Sequence, residues 1–273
     1  MTARLPASAL TAAHERDLVR AAASLENPNF AARLADYAGK PLNRVLDLMP
    51  GAASKRLNSV VEKAILRCLA IAVDSLEDEK ALPAKWVASA MAGVSGAIGG
   101  AFGLVALPVE LPFTTTLMLR AIADIARHEG EDLTQLPTRL ACLEVFALGT
   151  RRAKNRTDVG YYAARAMLSR LTDQASSLLI ERGIAGASAP AVNGLVVEVT
   201  SRFGLVVSDR VAASAIPILG AVGGATVNAL FTDHFQRIAA AHFTIRRLER
   251  IYGPTAIQDR YSKIIAGASR LET

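Results

Sequence analysis

Apolar residues recur along this chain at spacings of three and four, the period of an α-helix, and almost nowhere alternate as strands do. Leu5, Leu10, Leu18 and Val19 make residues 1–27 read as an amphipathic helix that stops at Asn27-Pro28. Short pieces follow, broken by Gly39-Lys40-Pro41 and Met49-Pro50-Gly51. Leu57, Val60, Val61, Ala64, Ile65, Cys68, Leu69 and Ala72 predict a helix over 54–76, closed by the acidic run Glu77-Asp78-Glu79. Residues 112–128, 138–148 and 158–182 carry the same period. Leu195–Val199 and Leu205–Val207 are short β-branched runs compatible with strands, but their surroundings favour helix. The last long element, 217–252, ends at Tyr252-Gly253-Pro254, a helix stop. The expected fold is all-α, a multi-helix bundle. Its divisions are an N-terminal helical extension (1–53), a main helical domain (54–253) and a C-terminal helical tail (254–273).

Two stretches break the amphipathic pattern. Between Lys85 and Arg120 the only charge is Glu110, so Trp86–Val109 is free of charge, as is Val211–Thr232. Both are rich in glycine and alanine, and they share a pattern, Gly96-Ala-Ile-Gly-Gly-Ala101 and Gly220-Ala-Val-Gly-Gly-Ala225. Gly96/Gly100, Gly99/Gly103 and Gly220/Gly224 are each four residues apart, which puts bare backbone on one helical face for close packing. Each stretch has the length to cross a bilayer. Each also has eight strongly apolar side chains, about −2.4 to −4.8 kcal/mol in all on the insertion scale, opposed by Gly, Ser, Thr, Pro108, Pro217 and Asn228. Three arrangements fit: a tightly packed hairpin in a soluble core, a peripheral or conditionally inserted segment, and a transmembrane hairpin.

Composition sharpens this picture. Hydrophobic residues are 51% of the chain but aromatics only 5%, so small aliphatic residues carry the apolar content. The mean hydropathy of +0.27 lies between soluble enzymes and polytopic transporters. The formal net charge of +6, mostly from arginine, suits an anionic surface. Cys68 and Cys142 sit in apolar helical patterns, which predicts buried thiols in a reducing compartment. The N-terminal residues turn charged at His14–Asp17, so they do not read as a signal peptide.

Candidate chemistry is sparse. Glu110, between Pro108 and Pro112, is expected to cap a helix starting at Pro112; its functional alternative is a buried acid paired with an arginine. Arg120, Asp124 and His128 share one helical face, as a solvated salt-bridge stripe or as groups lining a headgroup site. His242 falls on the apolar face set by Phe231, Phe235, Ile238, Ile245 and Tyr252, where a core histidine with one hydrogen bond is expected over a ligand or base. His234 and His242 lie about 12 Å apart along a helix, and no metal motif completes them. Arg151, Arg152 and Arg156, with Arg237, Arg246, Arg247 and Arg250, form either a solvated face or a docking surface for anionic lipid. Gly93-Val-Ser95-Gly-Ala97 and Gly186-Ala-Ser188-Ala-Pro190 depart from the hydrolase elbow at the last position, and no phosphate loop or dinucleotide fingerprint occurs.

The segment Leu107-Pro-Val-Glu-Leu-Pro-Phe-Thr-Thr-Thr-Leu-Met-Leu-Arg120-Ala-Ile-Ala-Asp124-Ile-Ala-Arg-His-Glu-Gly130 resembles the EcsC family of bacterial proteins. Asp233-His-Phe-Gln-Arg-Ile-Ala-Ala-Ala-His242-Phe-Thr-Ile-Arg246-Arg-Leu-Glu249-Arg-Ile-Tyr-Gly253 is similar to that family's C-terminal signature. The similarity spans roughly 55–253. The family is named for an operon that also encodes an ABC transporter, so the resemblance implies a membrane connection more than a reaction.

The expected function is therefore a non-enzymatic, lipid-associated helical protein at the cytoplasmic face of the inner membrane. It would bind a phospholipid or fatty acid and the membrane surface, with Arg120, Arg151, Arg152, Arg237, Arg246 and Arg247 holding headgroups. No cofactor and no metal are expected. One alternative is a lipid-processing or other hydrolase built on Glu110, Asp124 and His242. Another is an adaptor for a membrane transporter complex. Nucleic-acid binding ranks last, because aromatics do not interleave with the basic residues.

Overall fold

A computed structural model describes residues 10–26, 30, 33–34, 51–74, 103–150, 160–182, 189–214 and 223–269. These contain eight helices and no strand: α1 (Ala12–Glu26), α2 (Gly51–Asp74), α3 (Gly103–His128), α4 (Leu136–Leu148), α5 (Tyr161–Arg182), α6 (Pro190–Ser214), α7 (Gly223–Tyr252) and α8 (Pro254–Ser269). The chain is thus an all-α bundle.

The short helix α4 runs through the centre. Every residue from Leu140 to Leu148 is buried, Glu144 among them. It is packed by α2, α3, α5, α6 and α7. Around it Phe146, Phe203, Phe231 and Phe235 stack in tilted and edge-to-face contacts with centroids 4.9–6.0 Å apart, and Phe30 adds an edge contact to Phe231. The β-branched runs at 195–199 and 205–207 belong to one helix, α6. Leu195, Val196, Val199, Phe203, Val206 and Val207 form its core face. Within α6, Pro190–Ala213 is, among the described residues, the one helix long and apolar enough to cross a membrane. Here its apolar face packs on α2, α4, α5 and α7.

The helix expected to begin at Pro112 begins nine residues earlier, at Gly103, and carries both Pro108 and Pro112 inside it. Each proline removes an amide donor and costs about 3 kcal/mol in a helix interior. Packing overrides that cost. Leu107, Leu111, Thr115, Met118, Leu119 and Ile122 are buried along the helix, which packs on α2 and α7. The stop at Tyr252-Gly253-Pro254 is as expected: Gly253 takes φ +94°, its amide donates to Glu249 O at 2.9 Å, and α8 starts on Pro254.

The N-terminal helix shares this core. α1 buries Leu18, Ala21, Ala22 and Leu25 and packs on α7 and α8. His14 Nδ1 and the Tyr252 hydroxyl are 2.8 Å apart, Asp17 accepts from Arg247, and Glu15 from Arg260. Both cysteines are free and buried. Burial pushes the Cys68 thiol up to about 12 and raises that of Cys142 as well, so both are inert thiols.

Candidate functional site

Glu110 and Arg210 form an ion pair between α3 and α6. Arg210 is only 7% exposed, and its guanidinium lies 4.9 Å from the centre of the Phe231 ring on α7. These three residues have a particular place in the sequence. Glu110 is the one charge between Lys85 and Arg120, Arg210 is the last charge before the second charge-free stretch, and Phe231 lies at that stretch's end. One cation therefore joins α3, α6 and α7 near the borders of the two stretches. Nearby Val109 is 80% exposed. Glu110 is thus a side chain within a helix, paired with an arginine, and not the helix cap expected of it.

Of the glycines predicted to pack closely, Gly103 and Gly224 lie in the first turns of α3 and α7. Gly96, Gly100 and Gly220 lie outside the described residues, as do Ser95 and Ser188. A glycine that periodicity did not single out makes the close approach instead. A Cβ on Gly149, after α4, would stand 2.7 Å from the Phe235 ring and 3.0 Å from His234 Nε2. His234 uses that proximity, donating from Nε2 to Gly149 O at 2.7 Å. Burial pushes its pKa down to about 4, so it is neutral at physiological pH.

Just past the charge-free stretch, Asp233 accepts hydrogen bonds from two arginines, Arg33 at 2.7 Å and Arg237 at 3.1 Å. Burial tends to raise the Asp233 carboxyl, but these two bonds outweigh it and hold it below the usual range. The three groups carry a net charge of +1, and Arg237 is 61% exposed.

The remaining predicted headgroup arginines are placed elsewhere. Arg246 forks onto Glu131 at 2.9 and 2.7 Å, Arg250 also bonds Glu131, and Arg247 bridges Glu129 and Asp17. Arg246 and Arg247 lie 15 and 16 residues beyond Phe231, about 23 Å along α7. They clamp the turn after α3 at the opposite end of the bundle, and carboxylates occupy their donors. Arg151 and Arg152 lie outside the described residues. Arg120 is half-buried on α3.

The hydrolase set is not brought together. Glu110 and Asp124 are 14 residues apart on one helix, about 21 Å. Asp124 is 62% exposed and pairs with Arg127, while His128 Nδ1 donates to its backbone carbonyl. His242 is fully buried, with Nδ1 and the Tyr161 hydroxyl 3.0 Å apart. Burial, then the nearby Arg165 and Arg246, hold it neutral. It is a core histidine with one hydrogen bond.

Two buried polar groups lay beyond the sequence reading. Glu249 receives both Arg165 guanidinium nitrogens, at 2.8 and 2.7 Å, and the Tyr162 hydroxyl at 3.0 Å. Glu144 sits in the apolar centre of α4, bonded by Thr172 Oγ1 at 2.6 Å through one oxygen; the other has no partner among the described residues. Burial pushes its pKa up to about 7, against the Thr172 bond and the charges of Arg246 and Arg165. Among the described residues no group of three His, Cys, Asp or Glu is placed to hold a metal.

No curated protein and no solved structure matches the chain. The EcsC family model matches residues 16–248, from within α1 almost to the end of α7. That span includes the Glu110–Arg210 pair, the Asp233 cluster and, of the arginine clamp, Arg246 and Arg247 with Asp17, Glu129 and Glu131. On this match the chain belongs to the EcsC protein family.

Proposed function

We propose that this protein is a non-enzymatic, lipid-associated helical bundle that meets acyl chains with one apolar end, peripherally at the inner face of the cytoplasmic membrane. The observation that carries the reading is the Glu110–Arg210 pair on Phe231. It pairs the charge that ends the first glycine-rich stretch with the charge that precedes the second. A charge left unpaired beside lipid is costly, whereas a paired one beneath an apolar surface is tolerated. The scattered placement of Glu110, Asp124 and His242 weighs against the hydrolase alternative.

The test is mass spectrometry of small molecules extracted from natively purified, detergent-free protein, together with flotation on phospholipid vesicles. A stoichiometric phospholipid or fatty acid, or co-flotation, is expected. Protein that is empty of lipid and ignores vesicles of every composition would end this reading and bring the transporter-adaptor reading forward.

A further inference from the structure

The Asp233 cluster has the position and charge of a headgroup-level belt. The charge-free stretch ends at Thr232, and Asp233 and Arg237 follow on the same helix. Arg237 lies six residues past Phe231, about 9 Å along the axis, a step comparable to that from hydrocarbon into the headgroup layer of a bilayer. Arg33 comes from another part of the chain to the same carboxylate, and Phe30, one turn earlier, packs on Phe231 and His234. Asp233 therefore holds two guanidiniums side by side beneath the apolar end, with a surplus positive charge and partial exposure of both. Arginine is suited to phosphate through its planar fork of donors. The arginines at the far end differ, since buried or half-buried carboxylates balance them there.

We propose that Arg33 and Arg237, pre-positioned by Asp233, bind the phosphates of anionic phospholipids at a membrane surface and so set the lipid preference and orientation of docking. This rests on the lipid-associated reading above and adds a headgroup class and a site to it. In the free protein Asp233 neutralises part of the cluster. At an anionic surface the two arginines exchange part of their contact with Asp233 for lipid phosphate.

The experiment is co-sedimentation of the full chain with neutral phosphatidylcholine vesicles and with vesicles containing about 30 mol% phosphatidylglycerol. The wild type is expected to prefer the anionic vesicles, with a preference that falls as salt rises. The double variant Arg33→Gln/Arg237→Gln loses two surface cations at roughly fivefold each, so its binding to anionic vesicles should weaken about 30-fold while binding to neutral vesicles holds. A control, Arg20→Gln/Arg127→Gln, removes the same charge from exposed sites elsewhere and should weaken binding far less. Asp233→Asn separates docking from folding, because its amide oxygen still accepts from the guanidiniums while the competing negative charge is gone, and it should strengthen anionic binding severalfold. Equal binding to both vesicle types, or weakening by Asp233→Asn with its fold intact, overturns the headgroup site and leaves the apolar contact standing. No binding to either vesicle overturns both.

Discussion

The two ends of this bundle handle charge in opposite ways. At one end the ion pair Glu110–Arg210 stands at the border of two long stretches without charge, supported by an aromatic ring, and Arg33 and Arg237 share the one carboxylate of Asp233. At the other, Arg246, Arg247 and Arg250 interlock with Glu129, Glu131 and Asp17, so most groups have more than one partner. A network with redundant partners tolerates the loss of one member and serves to fix structure. The Glu110–Arg210 pair joins α3 to α6 at an apolar boundary and matches the two charges that border the charge-free stretches. The contrast teaches that arginine count alone does not separate the two ends; Arg246, Arg247 and Arg250 meet three carboxylates, whereas Arg33 and Arg237 share one.

The sharpest way to break the contrast is to remove one partner at the apolar end. Arg210→Gln leaves Glu110 beside apolar surface without its nearly buried cation, and a loss of about 3–5 kcal/mol in chemical denaturation is expected. Replacing both partners, Glu110→Gln/Arg210→Gln, should recover part of that loss, because no lone charge then remains. If the single and double variants are equally destabilised, the pair is not coupled as described.

The buried carboxylate at the centre gives a pH-dependent effect of similar size. Folded Glu144 keeps its proton up to about 7, whereas the unfolded side chain releases it near 4.5. Its stabilising contribution is therefore complete below pH 4.5 and is lost as pH rises to about 7. Glu144→Gln, which does not titrate, should gain about 3 kcal/mol relative to wild type between about pH 4 and pH 8. His234 acts with the opposite sign: its folded pKa of about 4 against 6.5 means that stability falls as pH drops through that window. That contribution is common to both proteins and cancels in their difference. A stability difference that stays flat with pH would show that Glu144 is ionised throughout.

A smaller effect is expected at the α4–α7 approach. Gly149→Ala puts a methyl group against the Phe235 ring and His234, a crowding that costs about 1–3 kcal/mol in thermal or chemical unfolding. An unchanged midpoint would mean that the helices part without penalty. The smallest effect belongs to the redundant end. Arg250 is 43% exposed and Arg246 still holds Glu131 without it, so Arg250→Gln should cost less than about 1 kcal/mol. A loss as large as that of Arg210→Gln would erase the contrast between the two ends.

What the sequence made legible follows from the range of each interaction. Helical periodicity over 54–76 and 158–182 and the Tyr252-Gly253-Pro254 stop are local features, and they match the structure closely. So does the choice of helix for 195–199 and 205–207, where the flanking residues outweighed β-branching. The start of α3 was misread because Pro112 is a strong local signal, while the burial of Leu107 and Leu111 that carries the helix through it is a tertiary effect. Glu110 read as a cap for the same reason; its partner, Arg210, is a hundred residues away. Arg246 and Arg247 looked free because Glu129 and Glu131 lie in a turn that only folding brings beside them. Gly149 carried no periodic signal at all, since the groups it would strike belong to α7.

The central claim is that the apolar end, rather than the arginine-rich end, meets lipid. Hydrogen–deuterium exchange of the full chain with and without anionic phospholipid vesicles tests it most directly, peptide by peptide. Lipid contact at the apolar end slows exchange on vesicle binding in peptides covering 103–112, 205–214 and 223–237 and leaves 124–136 and 244–252 unchanged. Protection confined to 124–136 and 244–252 would place the membrane at the arginine clamp and contradict the account.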